Sequence, residues 1–214
     1  MSHFVVMDLE MCSLHKERIN DEDLYNEIIQ IGAILLDDQY DYIDSFMTYV
    51  KPEIGYVDKY INELTGISDS NLIDAPLLED ALYQFMKWIP KGSKIVTWSE
   101  NDEYQLRNEM MNKEIEIDEF DVYFNDFIDC QKLFTDKVGR DKNYKLSEAL
   151  CISDIDSVKG EHDALVDAKN TAKLFKKLNK EDKFQFRNDY MPANDIKRSS
   201  YNPFLELLAG IKVK

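Results

Sequence analysis

Apolar positions near the start of the chain predict three β-strands. Phe4–Glu10 and Glu27–Asp37 carry apolar runs typical of buried strands, and the second run is continuous enough to indicate a central strand. Tyr42–Val50 predicts a third strand, which Pro52 ends. The stretch Ser13–Tyr25 is too rich in charged residues for a core, so it is interpreted as a connection.

The remainder of the chain alternates between helical and strand-like patterns. Apolar residues recur at helical spacing in Ala75–Trp88, and Pro90 with Gly92 stops that helix. Strands followed by alternating helix and strand predict an α/β fold: a mixed sheet of about five strands, flanked by helices on both faces. The other predicted elements are helices over Asn101–Met111, near Lys145–Cys151 and over Asp163–Leu178, and strands over Lys94–Trp98 and Phe127–Cys130.

The length of 214 residues suits one domain with a short appendage. We assign residues 1–187 to the domain and residues 188–214 to a C-terminal extension, because the sequence changes character there. Within the extension, Tyr201–Leu208 predicts a small amphipathic helix that docks on the domain or on a protein partner. The sequence leaves open whether the chain forms a homodimer.

Composition indicates a protein of the cytoplasm. No segment approaches the apolar length of a membrane span, so no membrane association is expected. Met1-Ser2-His3 leads directly into a strand without the features of a secretory signal. The three cysteines are odd in number and lack metal-ligand spacing, which favours reduced thiols in a cytoplasmic setting.

A net charge of −16 is awkward for a partner of nucleic acid, because a polyanion is repelled at long range. The charge is unevenly distributed along the chain, however, so a local surface can still favour a polyanion. Acidic residues concentrate in Glu114–Asp126, which is interpreted as solvated surface. Basic residues concentrate after position 168: Lys169, Lys173, Lys176, Lys177, Lys180, Lys183 and Arg187.

Candidate chemistry begins with two carboxylates on the first strand. Side chains in a strand alternate between faces, so Asp8 and Glu10 point to one side and form a potential metal clamp. Asp102 follows another strand at the start of a helix, where an ordinary first-turn acid favoured by the helix dipole is the alternative. Hard divalent ions such as Mg²⁺ prefer such oxygen ligands.

A histidine and a further aspartate complete the set. His162 and Asp167 are five residues apart, a spacing that does not stack them on one helix face. We therefore predict that His162 lies in the loop before a helix and Asp167 in its first turns, both directed toward one cleft. A histidine can take a proton from water near neutral pH, so carboxylates and histidine would divide the work of phosphodiester hydrolysis.

Together these motifs resemble the DEDDh 3′-5′ exonucleases, which have a ribonuclease-H-like fold. The resemblance runs from about Phe4 to Leu178 and extends to five supporting stretches: EIIQIGA from Glu27, TYVKP from Thr48, LTGIS from Leu64, YKLSEAL from Tyr144 and HDALVDAKNTAKLF from His162. The resemblance implies two Mg²⁺ or Mn²⁺ ions bound by four acidic residues, with the histidine as general base. These catalytic residues are Asp8, Glu10, Asp102, Asp167 and His162.

The same resemblance favours single-stranded RNA over DNA. Trp98–Asp102 is similar to the WGxxD form of the enhanced-RNAi and histone-messenger exoribonucleases, and Asp8–Cys12 is near their DxEATC form but one residue shorter. Met11 and Leu14 are candidates to contact the terminal base, with ordinary packing as the alternative. Two other functions stay open: a proofreading DNA exonuclease, and a regulatory module that uses the nuclease fold to dock a protein.

Overall fold

A computed structural model describes residues 2–14, 26–140 and 142–187. The predicted C-terminal extension of residues 188–214, with its predicted helix, lies outside the described residues, as does most of the predicted connection before residue 26.

Within the described residues, six strands form one mixed sheet: β1 Phe4–Leu14, β2 Asn26–Leu36, β3 Tyr42–Tyr49, β4 Gly55–Tyr56, β5 Lys94–Thr97 and β6 Phe127–Asp129. The order across the sheet is β3-β2-β1-β5-β6, and β4 pairs with the end of β1. Strand β2 is antiparallel to its two neighbours β1 and β3, whereas β5 and β6 run parallel to β1. This architecture confirms the predicted mixed sheet.

Helices cover both faces of the sheet, as predicted. The first face packs through Met7 against Phe85 and Leu106, and the opposite face packs through Val6 against Phe134 and Phe175. Successive residues of one strand thus enter two separate apolar cores. The helices are α1 Lys59–Thr65, α2 Asp69–Leu72, α3 Leu78–Trp88, α4 Asn101–Asn112, α5 Phe120–Phe124, α6 Cys130–Val138, α7 Leu146–Ile152 and α8 Ala164–Lys180. Among these described helices, none has both the length and the apolar character needed to cross a membrane.

Some element boundaries differ from the sequence prediction. The first strand was predicted to end at Glu10 but continues to Leu14, because its end pairs with both β2 and β4. The predicted strand over Phe127–Cys130 stops one residue early, since Asp129 accepts a hydrogen bond from the backbone N–H of Lys132 at 2.8 Å and caps α6. Helices α1, α2, α5 and α6 and strand β4 were not predicted.

A buried ionic cluster holds the short strand β4 in place. Glu27 accepts hydrogen bonds from the backbone N–H groups of residues 53–55. The ammonium of Lys113 lies 2.7 Å from Glu27 and 2.9 Å from Glu109. Burial opposes ionisation of Glu27, but hydrogen bonding and charge from Lys113 bring its pKa below the ordinary value. The cluster therefore fixes the backbone that pairs with Ser13 and Leu14.

Helix α8 lies directly on β2 at Gly32. A Cβ added to Gly32 would lie 2.2 Å from the backbone nitrogen of Leu165 and 2.3 Å from the carbonyl carbon of Ala164. Gly32 is also the partner of Asp8 across the β1–β2 pair. The missing side chain thus brings the first turn of α8 next to the carboxylate of Asp8.

We predict that Gly32→Ala destabilises the fold by about 3 kcal/mol, because the new methyl group meets backbone atoms that cannot rotate away. Gly92→Ala is the control: its Cβ would meet nothing within 4 Å, so only its left-handed conformation (φ 78°) costs stability, by about 1–2 kcal/mol. Urea unfolding measures both. Only Gly32→Ala should also weaken Mg²⁺ binding, because it displaces α8; equal effects of the two variants on Mg²⁺ binding would contradict this account.

Candidate active site

Strand β1 presents two carboxylates to one face of the sheet. Residues Val5, Met7 and Leu9 enter the first core, so Asp8 and Glu10 face the opposite side, where α8 lies. The pairing of β1 with β2 changes register immediately after Glu10: Glu10 pairs with Gln30, and Met11 pairs with Ile28. Ile29 is therefore an extra residue. Such bulges bend a strand and redirect its side chains, and they recur beside active sites.

Asp102 reaches the same region from the first turn of α4. Only 7 % of its surface is exposed, and the nearby backbone N–H groups of Leu9 and of Asp102 itself partly oppose the rise of its pKa. A solvated first-turn acid, the alternative reading of the sequence, would be exposed to water. Its burial against β1 instead places Asp102 among the other carboxylates.

The start of α8 is anchored to the sheet by Asp163 and Gln30. Asp163 caps the helix by accepting a hydrogen bond from the N–H of Val166 at 3.0 Å. The side chain of Gln30 accepts a hydrogen bond from the N–H of Ala164 at 3.0 Å and donates one to Asp163 at 3.3 Å. Side-chain and backbone contacts together fix the position of the helix end relative to β2.

His162 precedes this helix in a left-handed backbone conformation. Its φ of 67° is unusual for a residue other than glycine. The backbone N–H of His162 donates a hydrogen bond to the carboxylate of Asp167 at 2.9 Å, which orients that carboxylate, while the side chain of His162 is exposed. The structure thus places the two residues as the sequence predicted, in the loop and in the first turn.

The five predicted residues meet in one place. Potential ligand atoms of Glu10, His162 and Asp167 all lie within 4.8 Å of one another. Asp8 is close enough to interact electrostatically with Asp102, Glu10 and Asp167. Residues far apart in the sequence therefore form a single acidic cluster with an imidazole at its edge.

Burial and mutual repulsion make these carboxyl groups reluctant to ionise. Loss of solvation, followed by the charges of Asp167 and Asp102, raises the pKa of Glu10 to about 8. Loss of solvation is also the main cause that raises the pKa of Asp102 to about 7. The pKa values of Asp8 and Asp167 are raised as well, again chiefly by loss of solvation.

This donor set fits divalent metal ions. Oxygen ligands from several carboxylates are what Mg²⁺ and Mn²⁺ prefer, and a bound cation relieves repulsion among them. In the described residues no lysine or arginine appears among the principal charges that set the pKa values of Asp8, Glu10 and Asp102. Positive charge at this centre would thus have to come from outside the cluster.

His162 and Asp167 line a cleft of about 1030 Å³ between α6, α7 and the start of α8. Its basic lining residues are Lys132, Arg140 and Lys145. Among the described residues, none of the seven basic residues from Lys169 to Arg187, which the sequence suggested as compensation for the net charge, lines this cleft. Several of them bind elsewhere instead: Lys176 and Lys180 contact Asp41, and Lys177 contacts the carbonyl of Ser153.

Met11 and Leu14 lie on β1 rather than beyond it. Met11 is half-buried and packs against the first core, and Leu14 is 6 % exposed near β4. These positions agree with the packing alternative as well as with a contact to substrate, so their substrate-binding role stays a prediction.

Sequence reasoning overlooked three residues that position the site: Gln30, Asp163 and Asn170. Asn170 is 1 % exposed, accepts a hydrogen bond from the N–H of Val158 at 2.8 Å and also contacts Asp167. A signal was available for Asn170, because it occupies a position of the apolar face of α8. Gln30 is likewise a polar residue within an apolar strand, where an unpaired amide would be costly.

Comparison with known proteins identifies relatives of two kinds. PolC-type DNA polymerase III of Caldanaerobacter subterraneus subsp. tengcongensis is 32 % identical over 176 residues, which cover 82 % of this chain and 11 % of that protein. Human ERI1 exoribonuclease 2 is 32 % identical over 184 residues, covering 71 % of this chain and 25 % of that protein. The chain thus spans a quarter or less of these relatives.

Solved structures share the fold. The nuclease domain of 3′hExo, a DEDDh family member bound to rAMP, superposes with a TM-score of 0.69 at 17 % identity, over 87 % of this chain and 96 % of that one. A structure of a 3′-exonuclease that recognises the histone mRNA stem-loop gives a TM-score of 0.65 at 17 % identity, over 89 % and 92 % of the two chains.

A family model described as exonuclease matches residues 5–175, which include all four predicted acidic ligands and His162. The match covers well over half of the chain. The chain therefore belongs to the exonuclease family, in its DEDDh group of ribonuclease-H-like fold.

Proposed function

We propose that this chain is a metal-dependent 3′-5′ exonuclease that releases nucleoside 5′-monophosphates from the 3′ ends of single-stranded RNA. The observation that carries the proposal is the convergence of Asp8, Glu10, Asp102 and Asp167 in one cluster, with His162 beside them, where His162 and Asp167 line a cleft. Retaining four carboxylates that repel one another has no benefit for a purely structural fold, which argues against the regulatory docking module.

The four carboxylates would hold two divalent cations, Mg²⁺ or Mn²⁺. Asp8, Glu10 and Asp167 would bind the first, and Asp102 would contribute to the second. When bound, such ions polarise the phosphate, lower the pKa of the attacking water and stabilise the leaving 3′ oxygen. The backbone N–H of His162 holds the Asp167 carboxylate by a hydrogen bond, and Asn170 lies beside that carboxylate.

His162 is the general base in this proposal. Its exposed imidazole has a nitrogen within 4.8 Å of the carboxylate oxygens of Glu10 and Asp167, so it reaches the place where water would attack. The imidazole takes the proton as the water oxygen bonds to phosphorus and the bond to the 3′ oxygen breaks. The left-handed backbone at His162 projects the ring outward while its N–H stays bonded to Asp167.

Two observations support the preference for RNA. The Trp98–Asp102 stretch resembles that of RNA-degrading enzymes, and human ERI1 exoribonuclease 2 bears an RNA activity in its name. The PolC-type relative is named a DNA polymerase, which supports the DNA alternative. The RNA and DNA alternatives would use the same carboxylates and would differ in how the protein contacts the sugar of the substrate.

Matched single strands of RNA and DNA, labelled at the 5′ end, test the proposed function directly. We expect shortening that requires Mg²⁺ or Mn²⁺, stops with chelator, falls sharply in His162→Ala and proceeds faster on RNA. Faster shortening of DNA would move the chain to the proofreading class. If neither strand is shortened, the exonuclease proposal is wrong and the docking module becomes the better interpretation.

Asp8→Asn should lower kcat by a factor on the order of a thousand, equivalent to about 4 kcal/mol of transition-state stabilisation, because a metal ligand is lost. The same change should stabilise the metal-free fold, since it removes a charge from a repelling cluster. Thermal unfolding with chelator and with Mg²⁺ measures the second effect. Asp74→Asn, at an exposed site, is the control. Activity near the unmodified level in Asp8→Asn would contradict the assignment.

Stability without metal should fall as pH rises from about 5.5 to 8.5. The pKa of Glu10, about 8 in the folded state, exceeds its ordinary value, so the folded state binds more protons than the unfolded chain in this window. Raising the pH removes those protons, so that the ionised Glu10 repels the other carboxylates of the cluster. Urea unfolding of wild type and Glu10→Gln in chelator isolates the effect: wild type should lose more stability, and saturating Mg²⁺ should reduce the difference. An equal pH slope in both proteins would refute it.

A further inference from the structure

The wall of the cleft between α6 and α7 is rich in hydrogen-bond donors. Four of its lining residues, Arg140, Asn143, Lys145 and Ser147, define what we term the α6–α7 wall. Asn143, Lys145 and Ser147 are exposed, and Arg140 is half-buried. His162 and Asp167 line the same cleft, so the wall shares one space with the proposed general base and with one of the metal-binding carboxylates.

The segment that carries Asn143 and Lys145 is attached to the core beneath it. Tyr144 is 2 % exposed and packs edge-on against Phe134, at 5.2 Å between ring centroids. Gln131 donates a hydrogen bond to the carbonyl of Tyr144 at 2.7 Å, and Thr135 donates one to the carbonyl of Lys142 at 3.3 Å. Because Tyr144 is buried, its neighbours Asn143 and Lys145 face the cleft. Binding a ligand would therefore cost little conformational entropy in this backbone segment.

Among the basic residues that line the cleft, Arg140 and Lys145 differ from Lys132 in their charged neighbours. Lys176 and Lys180 both contact Asp41, and Lys132, on the same cleft, lies 3.4 Å from Asp136. Across residues 2–14, 26–140 and 142–187, by contrast, Arg140 and Lys145 take part in no ion pair. In a protein of net charge −16, two cations without an acidic partner on a preformed wall indicate an anionic ligand.

We propose that the α6–α7 wall binds the phosphodiester backbone of the substrate strand upstream of its 3′-terminal nucleotide. Arg140 and Lys145 supply charge to phosphate oxygens, and Asn143 and Ser147 donate hydrogen bonds to them. This inference rests on the proposed function and assigns to the cleft its polymeric substrate. Because the contacts are to phosphate, the wall should serve RNA and DNA strands alike.

The test compares a long substrate with one that lacks upstream phosphates. The double variant Arg140→Gln/Lys145→Gln is assayed on a 20-nucleotide single strand and on the p-nitrophenyl ester of a nucleoside 5′-monophosphate, whose single phosphodiester reaches only the catalytic centre. We expect kcat/KM to fall about tenfold or more on the strand, mostly through KM, and less than threefold on the ester. The slope of log KM against log salt should become shallower by about 1.4, as expected for two lost contacts to a single strand.

The control is Lys176→Gln/Lys180→Gln, which removes the same charge from α8 outside the cleft. It should leave the salt slope and the KM for the strand near wild type. Equal losses in both double variants would overturn the proposal, because the effect would then be one of net charge. Equal losses on strand and ester in the wall variant would also overturn it, because the effect would lie at the catalytic centre.

Failure of the proposed function would be seen separately, as wild-type protein that hydrolyses neither the strand nor the ester. Fluorescence anisotropy with a labelled single strand then tests the wall without catalysis. Binding by wild type that weakens tenfold in the wall variant would support the phosphate contacts. No binding by wild type, or equal dissociation constants for wild type and variant, would refute them.

Discussion

The close approach of α8 to β2 at Gly32 is the contact on which the site depends. Backbone atoms of Ala164 and Leu165 occupy the space that any side chain at position 32 would need, and Asp8 is the residue paired with Gly32 on β1. Two residues after Leu165 the helix delivers Asp167. One missing side chain on the central antiparallel pair therefore joins a strand carboxylate to a helix carboxylate.

The site stores electrostatic repulsion that the rest of the fold has to overcome. Apolar cores on both faces of the sheet hold β1 in place, and the cap formed by Gln30 and Asp163 holds the start of α8. Neither contact involves the acids that would bind metal. The arrangement separates residues that provide stability from residues that provide chemistry, so a cation can bind by relieving repulsion without having to assemble its ligands.

The sequence predicted those features of the site that depend on local geometry. The two-residue period of a strand places Asp8 with Glu10, and the five-residue separation of His162 and Asp167 indicates a loop followed by a helix. Features that depend on distant partners were missed. Extension of β1 to Leu14 requires pairing with β4, which in turn requires Glu27 and Lys113 to meet in the interior. The charge distribution was also misjudged because of a distant partner. The sequence suggested that the lysines of α8 compensate for the net charge, but Asp41, which precedes β3, forms ion pairs with two of them.

The two parts of the cleft recognise the same chemical group. In the proposed function, cations held by the carboxylates would act on the scissile phosphate, and the α6–α7 wall would hold the phosphates upstream of it along the strand. Phosphates are common to RNA and DNA, so neither part can distinguish the two polymers. The 2′-hydroxyl is the group that differs, and discrimination has to arise where a sugar lies close to protein. The end of β1, with Met11 and Leu14 beyond the bulge, follows Glu10 directly, and neither residue is among the described residues that line the cleft. Similarity to relatives named for an RNA activity and for a DNA polymerase is therefore compatible with one catalytic arrangement, and the proposed sugar preference depends on residues outside the acidic cluster.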